Sequence, residues 1–164
     1  GIALVGTSAA WYLYHSARIS QVLVGRRHCV DLGCGNAMQL LQVAALNPAT
    51  RFTGVDHSAA MIERATARAT ALGLDNVDFI VEEFDTLLRA GRGPWDSVIS
   101  TMTLHDLPDV AALERAVQAM GVIAGPDAAL YIEDFARLKS PASIDFFVGL
   151  NAPPVPDRFS ALYR

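Results

Sequence analysis

The sequence predicts an α/β fold in three layers, a mainly parallel sheet with helices on both faces. Three observations carry that reading. From His28 onward, short apolar runs alternate with stretches of helical periodicity, the pattern of strand–helix–strand crossovers. The runs are apolar along nearly their whole length, as strands are when both sheet faces are covered. The first run ends in a glycine turn that opens a helix.

The elements follow in order. Residues 7–24 read as an aromatic-rich helix. His28–Leu32 is a short buried strand that stops at Gly33. Residues 36–46 carry apolar side chains at 37, 40, 41, 44 and 45, and Asn47-Pro48 ends that helix. Arg51–Asp56 is the second strand. Residues 58–72 form a helix with a stripe at 61, 62, 65, 69 and 72, closed by Gly73. Val77–Val81 is the third strand, and residues 83–90 a short helix. The turn Gly91-Arg-Gly-Pro94 leads into a fourth strand, Trp95–Thr101. Asp109 caps a helix to about Val122, and Gly125-Pro126-Asp127 turns the chain into a fifth strand over 128–135. The organisation expected is an N-terminal helical cap (1–27), a core (28–139) and a helical or irregular C-terminal segment (140–164). Pro153, Pro154 and Pro156 disfavour regular structure in that last segment.

Composition bounds the function. The 164 residues are 52% hydrophobic and 18% charged, so a single packed domain is expected and disorder is not. Thirteen Lys+Arg against 17 Asp+Glu give a net charge of −4. That balance predicts no nucleic-acid partner, because phosphate binding needs a basic face. Cys29 and Cys34 match neither a disulfide framework nor metal-ligand spacing, so no metal is expected and a reducing, cytoplasmic setting is. The apolar start, residues 1–14, is shorter than the ~18–20 residues that span a bilayer and lacks a basic leader, so no membrane partner is expected. The chain does not begin with Met, and its ends are read as truncated.

The chemistry starts at Val30-Asp-Leu-Gly-Cys-Gly35. Glycines after a strand let a ligand approach the backbone, and the helix that follows offers its unpaired N–H groups. Asp56 ends the next strand, where a carboxylate can accept hydrogen bonds from two ribose hydroxyls. Together they point to an adenosine-containing ligand at the carboxyl edge of a parallel sheet. Met38 stands where the dinucleotide fingerprint wants Gly or Ala, which makes a nicotinamide enzyme the weaker reading.

These segments resemble the class I S-adenosylmethionine-dependent methyltransferases, whose core is Rossmann-like. Asp31-Leu-Gly-Cys-Gly35 resembles the family's first motif. Gly54-Val-Asp-His-Ser58 with Met61 resembles the second, and Phe79–Asp85 the adenine-side motif. Trp95–Thr101 with Leu104-His-Asp-Leu-Pro-Asp109 and Leu130–Phe135 are similar to the fourth- and fifth-strand motifs. The resemblance implies S-adenosylmethionine as cofactor. It implies that Gly33, Cys34 and Gly35 face its methionine part, with Asp31 orienting that loop or reaching the amino group. Asp56 would hold the ribose, His57 and Met61 flank the adenine, and Glu83 with Phe84 meet its edge. Ser100 and Thr101 would approach the amino group. His105 is the candidate general base, with Asp106 and Asp134 behind it.

In similar enzymes the N-terminal helix covers the acceptor, which implies substrate contacts for Trp11, Tyr14 and His15, together with Asp134 and Phe146. The same aromatic helix, which also carries Tyr12 and Arg18, equally suits packing on the sheet or on a second copy in a homodimer. The family's final antiparallel hairpin is missing from this reading, since residues 140–164 offer no sixth or seventh strand. Ser100-Thr-Met-Thr103 replaces the Asn/Asp-Pro-Pro-aromatic run of base-amino methyltransferases, which disfavours DNA. The expected function is therefore methyl transfer to oxygen, nitrogen or carbon of a small organic molecule. The alternative is a non-catalytic cofactor-binding or scaffolding domain.

Overall fold

The computed structural model describes residues 2–83, 86–87 and 90–134, with side chains from residue 11 onward. They fall within one compact unit, residues 1–134. Phe84, Asp85, Phe146 and Phe147 lie outside the described residues, as does the expected segment 140–164.

Among the described residues ten elements follow one another: α1 (Ile2–Val22), β1 (His28–Leu32), α2 (Met38–Leu46), β2 (Arg51–Asp56), α3 (Ala59–Leu72), β3 (Val77–Val81), β4 (Trp95–Thr101), a 3-10 turn (Leu104–Asp106), α4 (Val110–Ile123) and β5 (Ala124–Glu133). All strand pairs are parallel, in the order β3-β2-β1-β4-β5. The chain winds outward from β1 to β3, then crosses back and winds the other way from β4 to β5. The switch point therefore lies between β1 and β4, and the loops leaving those two strands bound a crevice.

Alternation along the strands feeds two cores. On one face Cys29, Phe52 and Ile99 pack with Ile19 and Leu23 of α1, Leu40, Leu41 and Val43 of α2, and Ala65 and Ala69 of α3. On the other, Val30, Leu32, Val55 and Val98 pack with Leu87 and with Met120 and Ile123 of α4. Both faces of the sheet are covered, which is why β1 is buried from Cys29 to Leu32.

The local signals explain most boundaries. Ser58 accepts from the Met61 N–H to start α3, and Asp109 accepts from the Ala112 N–H at 2.7 Å to start α4. Gly73, at φ +66°, closes α3 in the left-handed conformation. Three elements differ from expectation in their bounds. Helix α1 begins at Ile2 rather than residue 7. Helix α2 begins at Met38, because Ala37 preceding it is itself left-handed at φ 59°. Strand β5 begins at Ala124, directly after α4, so the Gly125-Pro126-Asp127 turn is absorbed into it. Trp95 pairs with Ala124 but Ser97 with Ala129, an irregularity that takes up the extra residues. Among the described residues β5 is an edge strand, where proline's missing N–H breaks no ladder. The α3 stripe ends at Ala69, and Leu72 is exposed.

Candidate functional site

The loop after β1 is held by geometry that only glycine tolerates at its key position. Gly33 has φ +75° and Gly35 φ +54°. The N–H groups of Gly33 and Cys34 both donate to the Val55 carbonyl, at 2.8 and 3.0 Å, clipping the loop to β2. A Cβ on Gly33 would stand 2.0 Å from Thr103 Cγ2, whereas one on Gly35 would meet nothing within 4 Å. Gly33 therefore serves a close approach between the β1 and β4 loops, and Gly35 borders open space. Thr103 seals that approach by donating its hydroxyl to the Gly33 carbonyl at 3.0 Å.

Two carboxylates flank the loop. Asp56 is buried; one oxygen accepts from the Gly35 N–H at 2.8 Å and the other from the Ser58 N–H at 2.9 Å. Each carboxylate oxygen carries two acceptor sites, so capacity remains for two hydroxyl donors. Asp31 is buried behind the loop, and its Oδ1 has no hydrogen-bond partner among the described residues. Burial, then the neighbouring Asp56 charge, pushes its carboxyl up to about 7. An orphaned buried acceptor beside an open glycine fits a ligand that brings a cationic or hydrogen-bond-donating group.

The remaining cofactor-side residues are placed as follows. Cys34 packs inward, with Gly54 leaving room for its sulfur: a Cβ on Gly54 would lie 2.9 Å from Sγ and 2.7 Å from the Phe79 ring. Burial raises the thiol of Cys34 and that of Cys29. His57 is exposed, with Nδ1 3.8 Å from Asp56. Met61 is half-buried and Glu83 exposed, its carbonyl accepting from the Thr86 and Leu87 N–H groups. Ser100, expected to approach the cofactor, is instead buried and donates to the Leu32 carbonyl at 2.9 Å, spending its proton inside the sheet. Thr101 is half-buried, its carbonyl accepting from the Thr103 hydroxyl.

The β4–β5 side is built from histidine–carboxylate pairs. Asp134 Oδ2 accepts from the backbone N–H groups of Thr103, Leu104 and His105, at 3.0, 2.6 and 3.2 Å. Its Oδ1 lies 2.8 Å from His105 Nδ1. One carboxylate thus fixes both the loop after β4 and the imidazole on it, which makes Asp134 an orienting group for His105. Asp106 is exposed, 3.8 Å from His105 Nε2. Across α1, His15 Nδ1 lies 2.8 Å from the Tyr131 hydroxyl and against the Glu133 carboxylate, and Tyr131 donates to Glu133 at 3.1 Å. The Trp11 and Tyr14 rings sit 4.5 and 4.9 Å from His15. Gln39 donates to Ser16 Oγ and the Tyr12 carbonyl, which ties α1 to the start of α2. Arg18 is exposed.

Sequence reasoning missed Thr103, Tyr131, Glu133 and Gln39. A signal existed for one of them: Glu133 and Asp134 are consecutive acids at the carboxyl end of a strand, where α/β folds bind ligands. Among the described residues, no three His, Cys, Asp or Glu are grouped to hold a metal ion, and no helix is long and apolar enough to cross a membrane.

With this geometry in place, four likenesses bear on the chain. Residues 25–144 match the family described as "Methyltransferase domain". A tRNA (guanine-N(7)-)-methyltransferase of Synechococcus is 37% identical over 83 residues, which are 51% of this chain and 35% of that protein. A trans-aconitate 2-methyltransferase of Deinococcus radiodurans is 35% identical over 115 residues, 66% of this chain and 42% of that protein. The chain thus spans half or less of the length of these relatives. In fold it is similar to an O-methyltransferase family protein from Burkholderia thailandensis, with a TM-score of 0.69 and 18% identity over 92% of this chain and 48% of that one.

The tRNA relative overturns one expectation, that the partner is a small molecule and never a nucleic acid. The error was physical. Net charge is a sum over the chain, whereas phosphate recognition depends on a local basic patch. The absent Asn/Asp-Pro-Pro-aromatic run concerns an exocyclic base amine, and the N7 named in that relative is a ring nitrogen with its own lone pair.

Proposed function

The chain belongs to the S-adenosylmethionine-dependent methyltransferase family, and from that premise we propose that the crevice at the β1/β4 switch point binds the cofactor and transfers its methyl group. The observation that carries the reading is the split of the edge into two halves joined by the Thr103–Gly33 hydrogen bond. One half offers glycines and unspent carboxylate acceptors, the other an oriented imidazole.

When bound, S-adenosylmethionine supplies a methyl group on a positively charged sulfur. Asp56 keeps the glycine loop on β2 and would accept from the ribose hydroxyls with its remaining capacity. Asp31, with an unpartnered buried oxygen, would orient that loop or reach the cofactor's cationic amino group. Asp134 holds the Nδ1–H of His105, which makes Nε2 the basic nitrogen. His105 would take the proton of an acceptor O–H or N–H there. An acceptor with a ready lone pair needs no such step. His57, Met61 and Glu83 would line the adenosine side and Thr101 the amino-group side. The free cysteines suit a reducing compartment such as the cytoplasm.

Two acceptor classes are supported by particular likenesses. A small organic acceptor is supported by the trans-aconitate methyltransferase and by the apolar and aromatic face of α1. A nucleic-acid acceptor is supported by the tRNA methyltransferase. Calorimetry with S-adenosylhomocysteine and with NAD tests the cofactor; affinity for NAD alone would reject the reading. Transfer of labelled methyl to small organic acids, to phenols or to bulk tRNA then separates the acceptors. Cofactor binding without transfer in any arm would leave a non-catalytic binding domain.

A further inference from the structure

We infer that the chain carries a second binding site, toward the amino ends of the strands, which takes a small carboxylate with an apolar body. The site goes beyond the methyl-transfer reading and does not depend on it. Its origin is a short connection. Residues 82–94, between β3 and β4, form the shortest of the four crossovers. On the sheet face where Val30, Val55 and Val98 pack with α4, Thr53 and Ile80 are left only half-buried. A cavity of about 380 Å³ opens there, lined by His28, Thr53, Ile80 and the turn 91–95. That volume suits a small ligand. His28 is the first of the five residues of β1, and Gly33 directly follows that strand. At the rise of a parallel strand, the cavity therefore lies roughly 16 Å from the glycine loop of the cofactor crevice.

The side chains of this cavity are hydrogen-bond donors. Trp95 is 9% exposed, and its indole N–H has no hydrogen-bond partner among the described residues, nor is it sealed from solvent. A buried tryptophan ordinarily spends that N–H on a protein acceptor. Gly93 lies against the Cε3–Cζ3 edge of the indole, the edge away from the N–H. A Cβ on Gly93 would stand 3.0 Å from the ring and 2.9 Å from the Ile123 carbonyl. The turn thus backs the ring and leaves the N–H for the cavity that Trp95 lines. Arg92 Nε lies 3.0 Å from Glu82 Oε2, with the glutamate side chain nearly buried and the arginine half-exposed. The buried carboxylate holds the guanidinium with its positive end outward, and the two terminal nitrogens remain for a carboxylate to bridge. The Thr53 hydroxyl is likewise without a partner among the described residues. No acidic side chain lines the cavity, so an anion there meets donors alone, and Ile80 and Pro94 supply an apolar wall for the rest of the ligand.

The chain has two tryptophans, Trp11 and Trp95, so the 15N-labelled protein shows two indole N–H signals, which Trp11→Phe assigns. Benzoate, benzamide and acetate are the probes. Benzoate should move the Trp95 signal in a saturable titration, with S-adenosylhomocysteine present or absent. Benzamide lacks the charge and acetate the apolar body, and each should bind at least tenfold more weakly. Arg92→Gln should weaken benzoate at least tenfold and Thr53→Val more modestly, with S-adenosylhomocysteine affinity within about twofold of the parent. Because Arg92→Gln leaves the Glu82 carboxylate unpaired, the double variant Arg92→Gln with Glu82→Gln is measured beside it and should bind benzoate as weakly. A Trp95 signal unmoved by benzoate overturns the site. So does equal binding of benzoate and either other probe, displacement of benzoate by S-adenosylhomocysteine, or parent-like benzoate affinity in the Arg92 variants. Failure of S-adenosylhomocysteine to bind rejects the cofactor reading instead, and the benzoate titration still decides the second site.

Discussion

The two halves of the sheet edge solve the same problem by different means. At β1 and β2 the site is made of backbone: left-handed glycines, N–H groups clipped to Val55, and two carboxylates within one supersecondary unit. At β4 and β5 it is made of side chains that meet only after folding, His105 with Asp134 at a separation of 29 residues and His15 with Tyr131 at 116. Backbone sites are rigid because sterics leave few alternatives. Histidine–carboxylate sites are adjustable, since a changed partner redirects a ring without moving a strand.

If that contrast holds, the largest effect belongs to Asp31. Its folded carboxyl titrates near 7 against a reference value of 3.8, so between those values the folded state holds the proton that the unfolded state has lost. The folded state binds more protons there, so stability falls as pH rises, by a slope approaching ~1.4 kcal/mol per pH unit between about pH 4 and 7. Urea unfolding at half-unit steps should show that decline, and Asp31→Asn should flatten it. An equal slope in both proteins would mean that Asp31 is not the titrating group.

Next comes the steric half. Gly33→Ala combines a left-handed φ, worth roughly 1–2 kcal/mol, with overpacking against Thr103 that costs about 1–3 kcal/mol. A loss of about 3 kcal/mol in unfolding free energy is expected. Thr103→Ser, which removes the methyl that a Cβ would strike, should restore part of it. Gly35→Ala has only the φ penalty to bear and should cost less, because its Cβ meets open space.

The side-chain half should break differently. His105→Ala should lower turnover of a proton-bearing acceptor on the order of 100-fold, the lower range for general-base catalysis, with S-adenosylhomocysteine affinity nearly unchanged. Asp134→Asn should speed amide hydrogen exchange at Thr103, Leu104 and His105 together, since one carboxylate oxygen accepts from all three. Exchange unchanged at these amides would show that other contacts hold the loop.

This contrast also decides what could be read from sequence. All five strands, and Asp109 as a cap, were legible because each signal is local. The start of β5 was misread because Pro126 and Gly125 look like a turn, and an edge strand tolerates them. Ser100 was expected to approach the cofactor's amino group, because its position in a motif does not reveal that its hydroxyl finds the Leu32 carbonyl on the adjacent strand. His105 was named from its loop, and Asp134 was named without its partner. Glu133 and Tyr131 went unseen, because a pairing across α1 and β5 leaves no periodicity in the chain.

The smallest expected effect sharpens the comparison most, because Asp56 serves both halves of its argument at once. Its two oxygens hold the Gly35 and Ser58 N–H groups, and the same oxygens are assigned to the ribose. Asp56→Ala removes both functions; Asp56→Asn keeps one acceptor oxygen and turns the other into a donor facing an N–H. Charge-assisted hydrogen bonds contribute about 1.5–3 kcal/mol each, and 1.4 kcal/mol is a factor of ten. Both variants should therefore bind S-adenosylhomocysteine more than tenfold more weakly by calorimetry. If Asp56 acts only by shaping the loop, 2′-deoxyadenosine should compete as well as adenosine for the parent protein. If it holds the ribose, the deoxy compound should compete less well with the parent and equally well with Asp56→Ala. Equal competition in both proteins would leave the carboxylate a loop clamp and remove it from the binding site.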